Sequence, residues 1–303
     1  MRQSFSRFSI VALGAVAAFV FWQASPADEN DAEVRPAAAG AQPVPAEGAA
    51  GGDVMLDSAV AALQSHVSIA ARVRIQVDLF GHQLFGPGQY LQQGRGVSPK
   101  FRFELALQTT NGKIVLSHVS DADRLWLFED FGGGGELSDV DLATLREQIR
   151  NGEPGAAPPR QELMTGGLPK LLASLRTNFH FAEATQIQRN GVPVWQLKGA
   201  WRAERLAALL GTDNNDDRAD KTSGNKKLPV QMPTDVVLYL DGRTLFPLRF
   251  EFYRQPNSNK SSAPKPLLAM ELFEQRFDLP IDDSQFQRPS DLLAKDVTEK
   301  FLP

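Results

Sequence analysis

Residues 101–107 read FRFELAL: Phe101, Phe103, Leu105 and Leu107 alternate with Arg102, Glu104 and Ala106. A period of two marks a strand with one buried and one wetted face. Strands of the same kind surround it. Residues 70–80 place Val73, Ile75, Val77 and Leu79 on one side. Residues 84–95 are more polar, and Gly86-Pro87-Gly88 is expected to form a turn or bulge. Residues 101–109 and 113–120 flank Asn111-Gly112, a favoured two-residue hairpin pair, and 124–130 form a fifth strand. Short strands on tight turns predict an antiparallel meander.

Helices interrupt the strands. Asp53 or Asp57 is placed to cap a first helix, in which Leu56, Val60 and Leu63 recur at helical spacing. Ser138 with Asp141 three residues on reads as a capping box, followed by the apolar stripe Leu142, Leu145 and Ile149. Pro169 suits the first turn of another helix, whose buried side is Leu171, Leu172 and Leu175. Residues 181–189 and 193–200 pair around Asn190-Gly191, residues 202–210 form a brief helix stopped by Gly211, and strands at 235–240, 246–254 and 267–279 close the domain. The tail beyond Asp282 is expected to pack through Phe286, Leu292, Leu293 and Phe301.

The chain begins with an export pattern. Arg2 and Arg7 precede an apolar run over residues 8–22, and Ser25-Pro26-Ala27 offers small residues for cleavage. Residues 1–27 are therefore a signal peptide or a retained membrane anchor, and either places the rest of the chain outside the cytoplasm. Residues 28–52, rich in Ala, Pro, Gly and Glu, form a tether that buries too little apolar surface to offset ordering entropy. Residues 53–303 form the folded domain, with a polar, disordered insertion at 212–227.

Several chemistries are disfavoured by the residues. The net charge is −4 and the basic residues are scattered, which argues against nucleic acid as a partner. The absence of cysteine excludes disulfides, thiolate metal sites and an acylated N-terminal cysteine. His66, His82, His118 and His180 show no paired metal spacing. The DNNDDRAD run at 213–220 has Arg218 where a calcium loop needs Gly and Gly224 where it needs Glu. The glycines at 132–135 lack the ending and the βαβ context of a phosphate loop and read as a connector. No Gly-x-Ser-x-Gly elbow occurs, and the adjacent Asp282 and Asp283 read as a strand end and a cap. The expectation is a protein with no catalytic group, metal or cofactor.

One stretch carries a family resemblance. Gly88, Tyr90 and Gln92, then residues 99–103 (PKFRF), Val119 to Asp121 and Leu125 to Phe128, resemble in order the LolA/LolB-like superfamily of periplasmic lipoprotein carriers. Ala122 stands where the family usually has glycine, and the match is looser over residues 236–240, 246–252 and 267–286. The resemblance implies an α+β fold: a strongly curved antiparallel sheet, or incomplete β-barrel, with helices packed on its concave side. It also implies an interior that takes acyl chains. Phe101, Phe103, Leu105, Trp126, Phe128, Trp195, Leu238, Leu240, Phe250 and Phe252 are then candidates to line a hydrophobic cavity; read without the resemblance, they fill a core. Arg72 and Arg102 are weaker candidates to meet acidic headgroups. The implied function is a non-enzymatic carrier or binding protein for lipid or lipoprotein acyl chains. Its place is the periplasm or the extracytoplasmic face of the inner membrane, with membrane contact through the N-terminus if the signal is retained. The rival reading is an envelope protein-interaction or stress-sensing module on the same fold, with other envelope proteins as partners.

Overall fold

The structure is a computed structural model that describes residues 51–79, 82–96, 98–109, 112–151, 166–209, 232–254 and 265–301. The export segment, nearly all of the tether, the polar insertion and its DNNDDRAD run lie outside these residues. The elements in chain order are α1 (Gly52–Ser65), β1 (Ser68–Leu79), β2 (His82–Gln93), β3 (Lys100–Thr109), β4 (Gly112–Ser120), β5 (Arg124–Asp130), β6 (Glu136–Asp141), α2 (Leu142–Asn151), α3 (Gly167–Asn178), β7 (Phe179–Arg189), β8 (Val192–Trp201), α4 (Ala203–Leu209), β9 (Asp235–Asp241), β10 (Pro247–Tyr253), β11 (Pro266–Phe277) and β12 (Lys295–Asp296). Among the described residues no helix is long and apolar enough to cross a membrane.

Among the described residues, all twelve strands form one sheet in the order β12-β6-β5-β4-β3-β2-β1-β11-β10-β9-β8-β7. Every pairing is antiparallel except β12 with β6, and β12 and β7 stand at opposite ends, so the sheet is open. It consists of two runs of neighbours in sequence, joined where β1 meets β11 with Val73 opposite Leu272 and Ile75 opposite Met270. On β1 the odd positions Ile69, Ala71, Val73, Ile75 and Val77 are buried, while Arg72, Arg74 and Gln76 are exposed, as the alternation predicts.

Local departures have physical causes. Gly86-Pro87-Gly88 is neither turn nor bulge; it runs within β2, with Gly86 opposite Ile75 and Gly88 opposite Val73. A Cβ at Gly88 would lie 2.1 Å from the carbonyl oxygen of Glu104, and one at Gly86 would lie 2.1 Å from that of Ala106. The glycines are there because β3 comes too close for a side chain, a mark of a sharp bend in a sheet. Ser138 does not cap a helix. It lies in β6, a strand absent from the sequence-based expectation, and Asp141 is the cap, its Oδ1 accepting from the N–H groups of Ala143 and Thr144 at 2.9 and 3.0 Å. Asp53 does not cap α1, which starts behind Gly51 without a side-chain cap. The glycines between β5 and β6 form a hairpin connector, with positive φ at Gly132, Gly134 and Gly135.

The two faces of the sheet are covered differently. On one, the strands join Leu56, Ala59 and Leu63 of α1, Leu142 and Leu145 of α2, and Leu168, Leu172 and Leu175 of α3 in a single apolar cluster. α1 packs on α3 and β7. Val119, Leu137 and Phe286 are buried outside that cluster, because the 3₁₀ turn Asp283–Phe286 packs against the other face of β3. Lys100 Nζ bonds Asp283 at 2.9 Å, and Arg102 Nη1 donates to the carbonyl of Gln285 at 2.8 Å. The tail then wraps the β6 edge through β12 and delivers Val297 and Phe301 to the first cluster. Phe286 and Phe301 are thus packed as expected, whereas Leu292 and Leu293 are 40% and 95% exposed and anchor nothing.

Candidate functional site

The ladder registers assign the expected cavity residues to faces. Phe101 lies opposite Gln92, Phe103 opposite Tyr90, and Leu105 opposite Gly88, in line with Val73 of β1. Phe250 lies opposite Met270 and Phe252 opposite Leu268; Leu238 faces Phe250, and Leu240 faces Trp195. These eight side chains share the helix-covered face. Trp126 and Phe128 do not: they pair with Val119 and Ser117, which pair in turn with Arg102 and Glu104. They share the opposite face with Val119, Leu137 and Phe286. A one-residue change of phase is enough to separate the groups.

On the helix-covered face, most of the eight are buried, but Phe103 and Trp195 are only partly so while packed against the cluster. Trp201, tilted by 35° against Phe179 with ring centroids 4.3 Å apart, is likewise partly open.

The same face carries polar groups that the sequence offers only as motif letters or metal candidates. Tyr90 is buried, and its hydroxyl accepts from the N–H of Leu168 at 2.9 Å and donates to Gln92 Oε1 at 2.6 Å. Burial pushes the Tyr90 hydroxyl pKa up. Gln92 is wholly buried, and its Nε2 has no hydrogen-bond partner. His118 faces Phe103, with ring centroids 6.5 Å apart; its Nε2 is buried without a partner, and burial pulls the imidazole down to about 4. Further along, Glu129 lies opposite Glu136, and burial and then this like charge raise its pKa. The signal was present in the sequence as Tyr90 and Gln92, alternate residues of one strand; their parity became meaningful only once the ladder showed it faced inward.

The candidate arginines belong elsewhere. Arg72 pairs with Glu274 at 2.9 Å, and Arg102 bonds Glu104 at 2.7 Å, both on the face opposite Phe103. His66 bonds Asp278 at 2.9 Å and His180 bonds Asp53 at 3.0 Å. Among the described residues no group of three or more His, Asp or Glu is placed to hold a metal ion.

No family model matches the sequence, and no curated protein matches it. Solved structures do. The chain is similar to LprF from Mycobacterium bovis at 10% identity, over 79% of this chain and 97% of that one, with a TM-score of 0.37. It is similar to the LolA superfamily protein NE2245 from Nitrosomonas europaea at 10% identity, over 79% of this chain and 98% of that one, with a TM-score of 0.29. A chain of the Pseudomonas aeruginosa MucA/MucB complex matches at 11% identity and a TM-score of 0.38, over 78% of this chain but 60% of its own length. The superfamily suggested by residues 88–128 thus recurs among the structural neighbours.

Proposed function

We propose that this protein is a non-enzymatic carrier or binding protein for hydrophobic ligands, with acyl chains of lipids or lipoproteins as the cargo. The observation that supports it is the state of Phe103 and Trp195: two aromatic rings left partly open on the helix-covered face, where they pack against the buried cluster. An alkyl chain laid against them gains roughly 0.8 kcal/mol for each methylene it buries, and no reaction is required. In this reading the helices sit on the concave side of the sheet, and the cargo enters between them and the strands. The export pattern at residues 1–27 places the domain in the periplasm or on the outer face of the inner membrane.

The test is native mass spectrometry with lipid extraction on the full chain purified from a bacterial envelope. Co-purifying lipid or acylated peptide is the expected result. A ligand-free protein that also ignores a fluorescent fatty-acid probe would leave the apolar face as ordinary core.

A second reading, an envelope protein-interaction module, is favoured by one feature. Among the described residues, edge strand β7 has a ladder partner only in β8, apart from a single bridge between Gly51 and Glu183. An open edge of this kind accepts an added strand. Cross-linking to a partner through β7 in a lipid-free protein would favour it.

A further inference from the structure

Helix α3 starts at Gly167 behind Gly166, an N-cap residue that supplies no side-chain acceptor of its own. The first N–H groups of a helix have no acceptor within the helix and form the positive end of its dipole. One of them, that of Leu168, is bound to Tyr90 Oη at 2.9 Å. That oxygen receives the proton of Leu168, and Tyr90 donates its own to Gln92 Oε1, 2.6 Å away. The relay therefore has a direction, and it leaves both protons of Gln92 Nε2 unmatched in a residue with no solvent exposure. Turning the amide over would give Tyr90 Oη two donors and strand the Tyr90 proton and the Gln92 carbonyl instead. Rotation moves the defect without removing it. The helix start is seated tightly on this pair: a Cβ at Gly167 would lie 2.3 Å from Tyr90 Oη and 3.3 Å from Gln92 Oε1.

An unmatched buried donor is costly, and such a donor beside a helix start fits an oxygen acceptor that arrives with a ligand. Phe101 lies opposite Gln92 and Phe103, itself only partly buried, opposite Tyr90, so the donor stands beside the apolar rings that the hydrophobic-ligand reading assigns to the chain. The lysines and arginines of β1–β6 register to the other face, among them Arg72, Arg102, Lys113 and Arg124. Apart from the partial charge of the helix start, a full negative charge would find no cation of β1–β6 on this face, so a carbonyl suits the place better than a carboxylate.

The geometry points to a polar subsite in which Gln92 Nε2, under the start of α3, donates to the carbonyl oxygen of an uncharged acyl ester or amide whose chain runs along Phe101 and Phe103. This rests on the hydrophobic-ligand reading above and names the head group that reading leaves open.

The test titrates the full chain, loaded with a fluorescent acyl probe, with methyl palmitate, palmitic acid and hexadecane delivered from cyclodextrin. Methyl palmitate is expected to displace the probe about tenfold more effectively than hexadecane. Gln92→Leu brings the ester to the level of hexadecane and leaves hexadecane unchanged. Equal displacement by ester and hexadecane in the native chain, or a preference that survives Gln92→Leu, overturns the subsite and leaves hydrophobic binding standing. Palmitic acid binding more tightly than its methyl ester overturns the uncharged class. A chain that binds neither the probe nor any of the three overturns both readings. Should Gln92→Leu fail to fold, the side-chain amide resonance of Gln92 decides in the native chain. It must shift with the ester and stay in place with hexadecane, and a resonance unmoved by the ester overturns the subsite.

Discussion

Phe103 and Trp126, two strands apart in one sheet, project from opposite faces of it: Phe103 pairs with Tyr90 on the helix-covered side, and Trp126 pairs with Val119 on the side covered by the tail. The two residues therefore give separable outcomes. Phe103→Asp is expected to abolish retention of an acyl probe. Trp126→Ala is expected to leave probe binding within twofold and lower stability by roughly 2 kcal/mol, as truncation of a half-buried ring does. Probe titration and urea unfolding of both variants check this, and probe loss in Trp126→Ala would contradict the assignment of faces.

His118 makes stability depend on pH. Its pKa is held down to about 4 by burial, against 6.5 for the unperturbed ring. Below pH 6.5 the unfolded chain takes up a proton that the folded chain refuses. Stability therefore falls as pH drops from about 6.5 towards 4, and this contribution levels off once the folded ring also protonates. The full difference is about 3 kcal/mol. His118→Leu should flatten that part of the profile, as read from thermal melts at several pH values; an unchanged slope would exclude His118 as its source.

Asp53 ties four segments together. Burial opposes its ionisation, but the N–H of Phe181 at 2.9 Å, His180 at 3.0 Å, Arg202 at 2.8 Å and Arg176 at 3.2 Å outweigh that and hold its pKa below the usual carboxylate value. Its contribution is complete above the unfolded pKa and is lost as pH falls through the lower folded one. Asp53→Ala removes this carboxylate from both arginines, although Arg176 keeps Asp57 at 3.4 Å and Arg202 keeps the carbonyl of Arg176 at 3.2 Å, and should cost roughly 2 kcal/mol near neutral pH. Hydrogen exchange should locate the loosening at α1 and the start of β7.

Gly88 and Gly133 are glycines of opposite meaning. Gly88→Ala pushes a Cβ to within 2.1 Å of backbone oxygen, while a Cβ at Gly133 meets nothing within 4 Å. The first should cost about 3 kcal/mol or more, the second stay within about 0.5 kcal/mol. Chemical denaturation of the pair measures both.

Phe286 and Leu293 separate the anchored part of the tail from the free part. Phe286→Ala should cost about 3 kcal/mol because its ring is buried. Leu293→Ala, at 95% exposure, should change stability by less than about 0.5 kcal/mol.

Much of this architecture was legible from alternation. β1, β3, β5 and the hairpin at Asn190-Gly191 follow from period and turn chemistry, because both are local properties of the chain. β6 was not, since Ser138 followed by Asp141 spells a capping box while Asp141 by itself is an equally good cap, and only the Asp141 bonds to Ala143 and Thr144 decide. The glycines of β2 mimic a turn because their purpose, the approach of β3, is a tertiary fact. The candidate site was half legible. Alternation groups Phe101 with Phe103 and Trp126 with Phe128, but the phase between the two pairs depends on ladder register, which no single strand records.

The pairing of β1 with β11 also bears on how the molecule is made. It brings together residues such as Arg74 and Glu271, 197 positions apart, in the middle of the sheet. Each flanking run of strands can assemble from neighbours in sequence. The seam between them must wait for a strand near the end of the chain to be synthesised, and closing so long a loop is slow. Until then β1 presents an unpaired, valine- and isoleucine-rich edge, the kind of surface on which nascent chains aggregate. The step most exposed to failure in the cell is thus the arrival of β11, and a chaperone that shields β1 until then would raise yield without touching the finished fold.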